Sequence, residues 1–190
     1  TIKHQELMCF AYKWLGEKKI EYVSRHQFNK YSDFVKKLWD ILDQADIAIA
    51  HNANRFDNKM ANRFFVKEGL PPVSPYKSVD TLTVARGMFK FSSNRLNDIC
   101  EYLDIGNKEK ITYADIETDF LSNPTPKIER LMKKYNVQDV KLLEQLYLTL
   151  RPYIKNHPNI GDIEESDGVC PKCGSHKLQK RGYNYRRAGK

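Results

Sequence analysis

The sequence predicts an α/β domain built on a mixed sheet, and three observations carry that expectation. Short β-rich runs alternate with amphipathic helical segments along most of the chain. The opening pair of runs is divided only by Gly16-Glu17-Lys18, which reads as a hairpin. The length, 190 residues, leaves room for one full-sized domain and a small appendage, and is too short for two ordinary domains.

The elements follow in order. Residues 7–15 and 19–24 are aromatic and β-rich and make the two hairpin strands. Ser32 then precedes a segment with Phe34, Leu38 and Leu42 on one face and Val35 and Trp39 beside it, a helix expected to carry Ser32 as its cap. Asp46 to Ala50 reads as a short buried strand. Arg55 to Glu68 repeats apolar residues at Phe56, Met60 and Phe64 and stops at Gly69 and Pro71, as a helix does. Lys77 to Val79 is a last short strand, with Asp80 capping a helix over Thr81–Phe89, and a further short helix covers Arg95–Leu103. The polar stretch from Asn107 to Lys127, with Pro124 and Pro126, reads as a surface insertion. A long helix runs from Lys127 to Leu150 and stops at Pro152. The domains expected are therefore 1–155, a linker with an acidic cluster over 156–168, and a cysteine-bearing basic tail over 169–190.

Composition narrows the class. The aromatic content of 12%, with nine Gly and eight Pro, excludes a collagen-like or disordered chain. Four cysteines, with Cys9 and Cys100 isolated in apolar segments, do not make a disulfide framework, so an intracellular, cytoplasmic location is expected and no membrane partner. Of the net charge of +8, six positive charges fall on Lys177, Lys180, Arg181, Arg186, Arg187 and Lys190, where no acid intervenes. The tail is the polycation and the body is nearly balanced. With Tyr183 and Tyr185 interleaved, it suits phosphate attraction and base stacking, and equally a solvated terminus.

The last helix carries the sharpest signal. Its apolar stripe falls at Ile128, Leu131/Met132, Tyr135, Leu142, Leu146 and Leu150, and the missing member is Asp139. A carboxylate on an inward face is costly unless it is paired, hydrogen-bonded or bound to a cation. Tyr135 lies one turn earlier on the same side. The second signal is His51-Asn52-Ala53-Asn54-Arg55-Phe56-Asp57, which leaves a strand and opens a helix at the sheet edge where α/β proteins collect ligands. An acid in a first helical turn is also favoured by the helix dipole alone. Asp80 reads as a plain N-cap, and His51 as a strand-end histidine with a hydrogen-bonded ring.

Taken together, these motifs resemble the DEDD exonuclease superfamily, whose fold is ribonuclease H-like and whose members include polymerase proofreading domains and ribonuclease D-type enzymes. Asn52 to Asp57 is similar to the second motif, and Tyr135-Asn136-Val137-Gln138-Asp139 to the third in its tyrosine form. The hairpin, the first helix and the Arg95-Leu96-Asn97-Asp98 helix fit the same order, over residues 5–152. The resemblance implies a 3′–5′ exonuclease working on a DNA or RNA 3′ end. It implies Asp57 and Asp139 as ligands of Mg²⁺ or Mn²⁺, Tyr135 as the residue orienting the attacking water, and Asn52 and Phe56 against substrate. Two such ions sit about 4 Å apart and need several carboxylates to hold them.

One part of the family pattern is missing. Its first motif, Asp-x-Glu on the first strand, should precede the hairpin, and no acid precedes Glu6. Asp115-Ile116-Glu117 matches as text but follows the second motif in a polar stretch. The expectation is a ribonuclease H-like sheet lacking its first strand, a fragment of a longer protein, with weak metal binding and little hydrolysis of its own. A non-catalytic nucleic-acid-binding module of the same fold, or a related endonuclease, are the alternatives.

The tail holds Cys170-Pro171-Lys172-Cys173-Gly174, two thiols in a tight turn with His176 nearby. The stretch resembles the first half of a zinc ribbon. Cys170 and Cys173 are thus expected as a half site for Zn²⁺, which binds four ligands in structural sites.

Overall fold

The computed structural model describes residues 6–106, 120, 125–163 and 166–179. The chain divides into two compact units, Thr1–Ile154 and Lys155–Lys190. In the first unit the hairpin forms between β1 (Cys9–Tyr12) and β2 (Glu21–Ser24), antiparallel with Phe10 opposite Val23. Gly16 in the turn has φ 90°, a conformation that glycine adopts without steric cost. A short 3-10 turn over Arg25–Gln27 follows, closed by a capping box in which Ser24 and Gln27 satisfy each other's backbone N–H groups.

Helix α1 (Tyr31–Asp43) starts two residues earlier than its sequence suggests, with Lys30 at the N-cap and no side-chain cap bond. Ser32 therefore lies inside the first turn and is not the cap. Apolar side chains hold the helix: Phe34 and Val35 are fully buried, and Val35 packs with Ala61, Phe64 and Phe65. Tertiary burial here outweighs the choice of capping residue.

Strand β3 (Ile47–Ala50) pairs in parallel with β4 (Lys77–Asp80), Ala48 standing opposite Ser78. Between them runs α2 (Asp57–Lys67), and β4 leads directly into α3 (Thr81–Met88). The short helix α4 is Leu96–Tyr102. Contrary to its apolar sequence, β3 is only half-buried at every position. So is β1.

The closing helix α5 (Pro126–Leu150) begins with the Thr125 hydroxyl accepting from the Ile128 N–H and with Pro126 where a missing N–H costs nothing. Its lower half buries Leu142, Leu146 and Leu150 against Ala85, Ile99 and Cys100. A 3-10 turn over Arg151–Tyr153 absorbs Pro152. The stretch from Asn107 to Lys127 is not wholly a surface insertion: Phe120 is 1% exposed and packs with Met8, Tyr22 and Met132. Residues 107–119, including Asp115 and Glu117, lie outside the described residues.

The pairing leaves two separate two-stranded sheets, β1–β2 and β3–β4. Helices cover the hairpin from both faces. Phe10 stacks on Phe34 of α1 with ring centroids 5.6 Å apart, while Cys9 and Ala11, its neighbours in the strand, pack toward α5. The mixed α/β architecture is the one the element order predicts.

In the second unit, α6 (Ile160–Ile163) is a single turn that sequence reading passes over as linker. The Ile160 N–H donates to the Pro171 carbonyl at 2.8 Å and so ties this turn to the cysteine loop. Among the described residues no helix is long and apolar enough to cross a membrane.

Candidate functional site

The loop from β3 to α2 is held in place by one buried carboxylate. Asp80, 5% exposed, caps α3 by accepting from the N–H groups of Leu82 at 3.0 Å and Thr83 at 3.3 Å. The same carboxylate accepts from the loop, from the Asn52 N–H at 2.9 Å and the Asn54 N–H at 3.1 Å. Asn52 is bent into the left-handed region at φ 73°, which asparagine tolerates better than most residues. The cap was legible in the sequence. Its second task was not, because no local pattern marks an acid that bonds to a loop twenty-eight residues away.

Further bonds fix the loop's two ends. The His51 ring reaches Thr81 Oγ1 through Nδ1 at 2.9 Å and the Asn94 carbonyl through Nε2 at 3.0 Å, so Nε2 carries a hydrogen. Both ring nitrogens are thereby engaged, and His51 serves as a bracket between β3, α3 and the approach to α4. The Asn54 side-chain oxygen accepts from the Ser78 hydroxyl at 2.8 Å and from the Asn58 amide at 3.3 Å. Phe56, which precedes α2, remains 50% exposed.

Asp57 opens α2 and lines a groove of about 1060 Å³. Its residue surface is largely exposed, yet its carboxyl is raised above the ordinary range. Partial desolvation against the groove wall is the larger cause and the nearby Asp80 carboxylate the next, with a hydrogen bond from its own N–H pulling the other way. An acid so placed favours a cation beside it.

The groove is also lined by Asn136 and Leu143 of α5. Asp139 lies between them, three residues after one and four before the other, on the same stripe of the helix. Its Oδ1 is buried from solvent, as the gap in the apolar stripe predicts. Tyr135, one turn before Asp139, is half-buried. Asn136 anchors this part of α5 beside β1: its amide donates to the Met132 carbonyl at 2.9 Å and lies 3.6 Å from the Cys9 sulfur. Burial pushes the Cys9 thiol up to about 11, which makes it a packing residue.

Hard oxygen donors of this type suit Mg²⁺ or Mn²⁺. The set is nevertheless too small: among the described residues no three histidine, cysteine or acidic side chains cluster as a metal site. Asp57 and Asp139 alone do not meet the needs of a two-ion centre. In the second unit, Cys170 and Cys173 lie in a turn closed by the Gly174 N–H bonding to the Cys170 carbonyl at 2.8 Å, with Gly174 at φ 69°. Hydrogen bonds from the Lys172 N–H and from Cys173 hold the Cys170 thiol below its usual range. These two thiols likewise form no complete zinc site among the described residues.

Comparison with known proteins agrees with this architecture. A family model described as the RNase H superfamily matches residues 2–151. A DNA polymerase III of PolC type from Ureaplasma parvum serovar 3 is 29% identical over 146 residues. That alignment covers 68% of this chain, and the chain spans a tenth of the length of this curated relative.

Proposed function

Because the chain belongs to the ribonuclease H superfamily, we propose that it works as a divalent-metal-dependent 3′–5′ exonuclease domain acting on nucleic acid. The observation that carries this reading is the groove lined by Asp57 and, from α5, by Asn136 and Leu143, the neighbours of Asp139 on its helix stripe. Similarity to a DNA polymerase supports a nucleic-acid substrate.

In this reading Asp57 and Asp139 are the acids facing the scissile phosphate, and Tyr135 orients the attacking water from one turn away. Phe56, exposed at the mouth of the loop, offers a face on which a terminal base can stack. Asn52 positions the loop beneath it. Two ions would need further carboxylates, which Asp57 and Asp139 alone do not supply. Cys170 and Cys173 are assigned as one pair of ligands of a zinc ribbon that aids substrate binding.

The test uses the native polypeptide that contains this sequence, with Mg²⁺, on a 5′-labelled linear oligonucleotide and on a circular single strand. The expected result is stepwise shortening of the linear strand, an intact circle, and a loss of activity of about a hundredfold or more in Asp57→Asn and Asp139→Asn. A cut circle would replace the exonuclease by an endonuclease. Unchanged activity in both variants would end the assignment.

A further inference from the structure

Helix α2 has two faces of opposite character. One buries Ala61, Phe64 and Phe65, which pack with Val35 of α1. The other carries Lys59, Arg63 and Lys67, all exposed and spaced four residues apart. Arg55, also exposed, stands four residues ahead of Lys59 in the turn that leads into the helix. A rise of 1.5 Å per residue sets the three helical cations about 6 Å apart, in a stripe about 12 Å long. No acid occurs from Asn58 to Lys67. The acids of this stretch stand at its ends, Asp57 at the head and Glu68 at the C-cap.

Helix stability does not account for this stripe. Like charges four residues apart weaken a helix, and Lys59, Arg63 and Lys67 make two such pairs. Lys59 adds a cation to the first turn, where the helix dipole disfavours one. Among the described residues, no ion pair joins Arg55, Lys59 or Lys67 to an acid. Arg63 and Lys67 lie over the rings of Phe64 and Tyr31, 4.9 and 5.6 Å from the centroids. Such contacts hold a cation in place and leave its charge uncancelled. The result is a row of fixed positive charges in a domain whose charge is otherwise nearly balanced.

A partner that cancels such a row is a chain of negative charges with a similar step, as the phosphodiester backbone of a nucleic acid is. An anionic lipid surface would need apolar side chains among the cations, and Val66 is the one apolar residue at the exposed positions of α2. The stripe starts beside Phe56 and Asp57, which line the groove. We propose that Arg55, Lys59, Arg63 and Lys67 form a phosphate track for single-stranded nucleic acid, holding the strand that leads to the end seated in the groove. The track grips the backbone and is indifferent to base sequence. The proposal rests on the nucleic-acid reading of the groove, and it requires no hydrolysis.

The experiment uses the native polypeptide that contains this sequence and a fluorescein-labelled single-stranded oligodeoxythymidylate, without Mg²⁺ or Mn²⁺ so that the strand stays whole. Lys59→Gln/Lys67→Gln removes two charges and both like-charge pairs. Its affinity should fall about tenfold at physiological salt, and the slope of log affinity against log salt should flatten by about 0.7 for each charge removed. Its melting temperature should hold or rise slightly, because the repulsion is gone. Lys59→Arg/Lys67→Arg keeps the charges and should bind with the full slope. Lys18→Gln/Lys37→Gln removes two exposed cations elsewhere and should leave affinity and slope as they are. An unchanged slope in the first variant, weak binding by the arginine pair, or an equal loss in the Lys18/Lys37 variant would overturn the proposal. So would binding to phosphatidylserine vesicles that the first variant loses while its hold on the oligonucleotide is intact. Restoring Mg²⁺ separates the two readings. A wild-type chain that binds through the stripe and cuts nothing keeps the track and ends the exonuclease assignment. A chain that cuts, with a first variant that binds as the wild type does, keeps the exonuclease and ends the track.

Discussion

The two halves of α5 carry the same apolar stripe and live in different surroundings. In the lower half Leu142, Leu146 and Leu150 are at most 2% exposed and close against α3 and α4. In the upper half Tyr135, Asn136, Asp139 and Leu143 are all half-buried, and Asn136 and Leu143 border the groove. The lower half is closed core, whereas in the upper half Met132 is sealed and these four keep part of their surface open. The contrast separates residues sealed into the core from residues that keep part of their surface open.

The largest effect should come from the lower half. Leu146→Ala removes a fully buried side chain from a close-packed cluster and should cost about 2–5 kcal/mol in urea unfolding. Leu143→Ala, beside the groove, should cost less than half of that, because much of its surface is already open. Equal losses at the two positions would show that the groove is closed in solution and would remove the contrast.

A second comparison sets Asp80 against Asp57, two acids close enough to repel each other. Asp80 gives all its capacity to backbone groups, two on α3 and two on the loop. Asp80→Ala loses the α3 cap and strands loop N–H groups, at about 2–3 kcal/mol by denaturant titration. It should also displace the Asn52–Asp57 loop, read as faster amide exchange at Asn52 and Asn54. A loss below about 0.5 kcal/mol, the range of surface substitutions, would mean that the loop stands without it.

These contrasts also explain what could be read from the amino-acid order. The hairpin, β4 with its Asp80 cap, α3 and the inward Asp139 rest on local signals: a Gly turn, a capping acid, a gap in a helical stripe. The Ser32 cap failed because burial of Phe34 and Val35 set the start of α1 regardless of which residue precedes it. Burial of β3 failed for the opposite reason. Its composition describes a central strand, whereas among the described residues β3 pairs with β4 alone. Phe120 in the core, and the grip of Asp80 on Asn52 and Asn54, depend on contacts between distant segments and leave no periodic trace.

The smallest stability effect belongs to Asp57, and its sign is what distinguishes it from Asp80. Its carboxyl is raised in the folded chain by partial desolvation and by Asp80, so folding favours its protonated form. The resulting stabilisation is full below the unfolded-state value and is lost as pH rises through the folded-state value. At neutral pH Asp57 is therefore charged at a cost, and Asp57→Asn should raise the melting temperature slightly, by an amount equivalent to about 0.5 kcal/mol or less. The gain should shrink as pH falls through the carboxylate range and vanish once Asp57 is protonated. A residue kept for the fold would lose stability on substitution at pH 7, as Asp80 should. A lower melting temperature for Asp57→Asn at pH 7 would place Asp57 with Asp80 among the structural acids and take it out of the site.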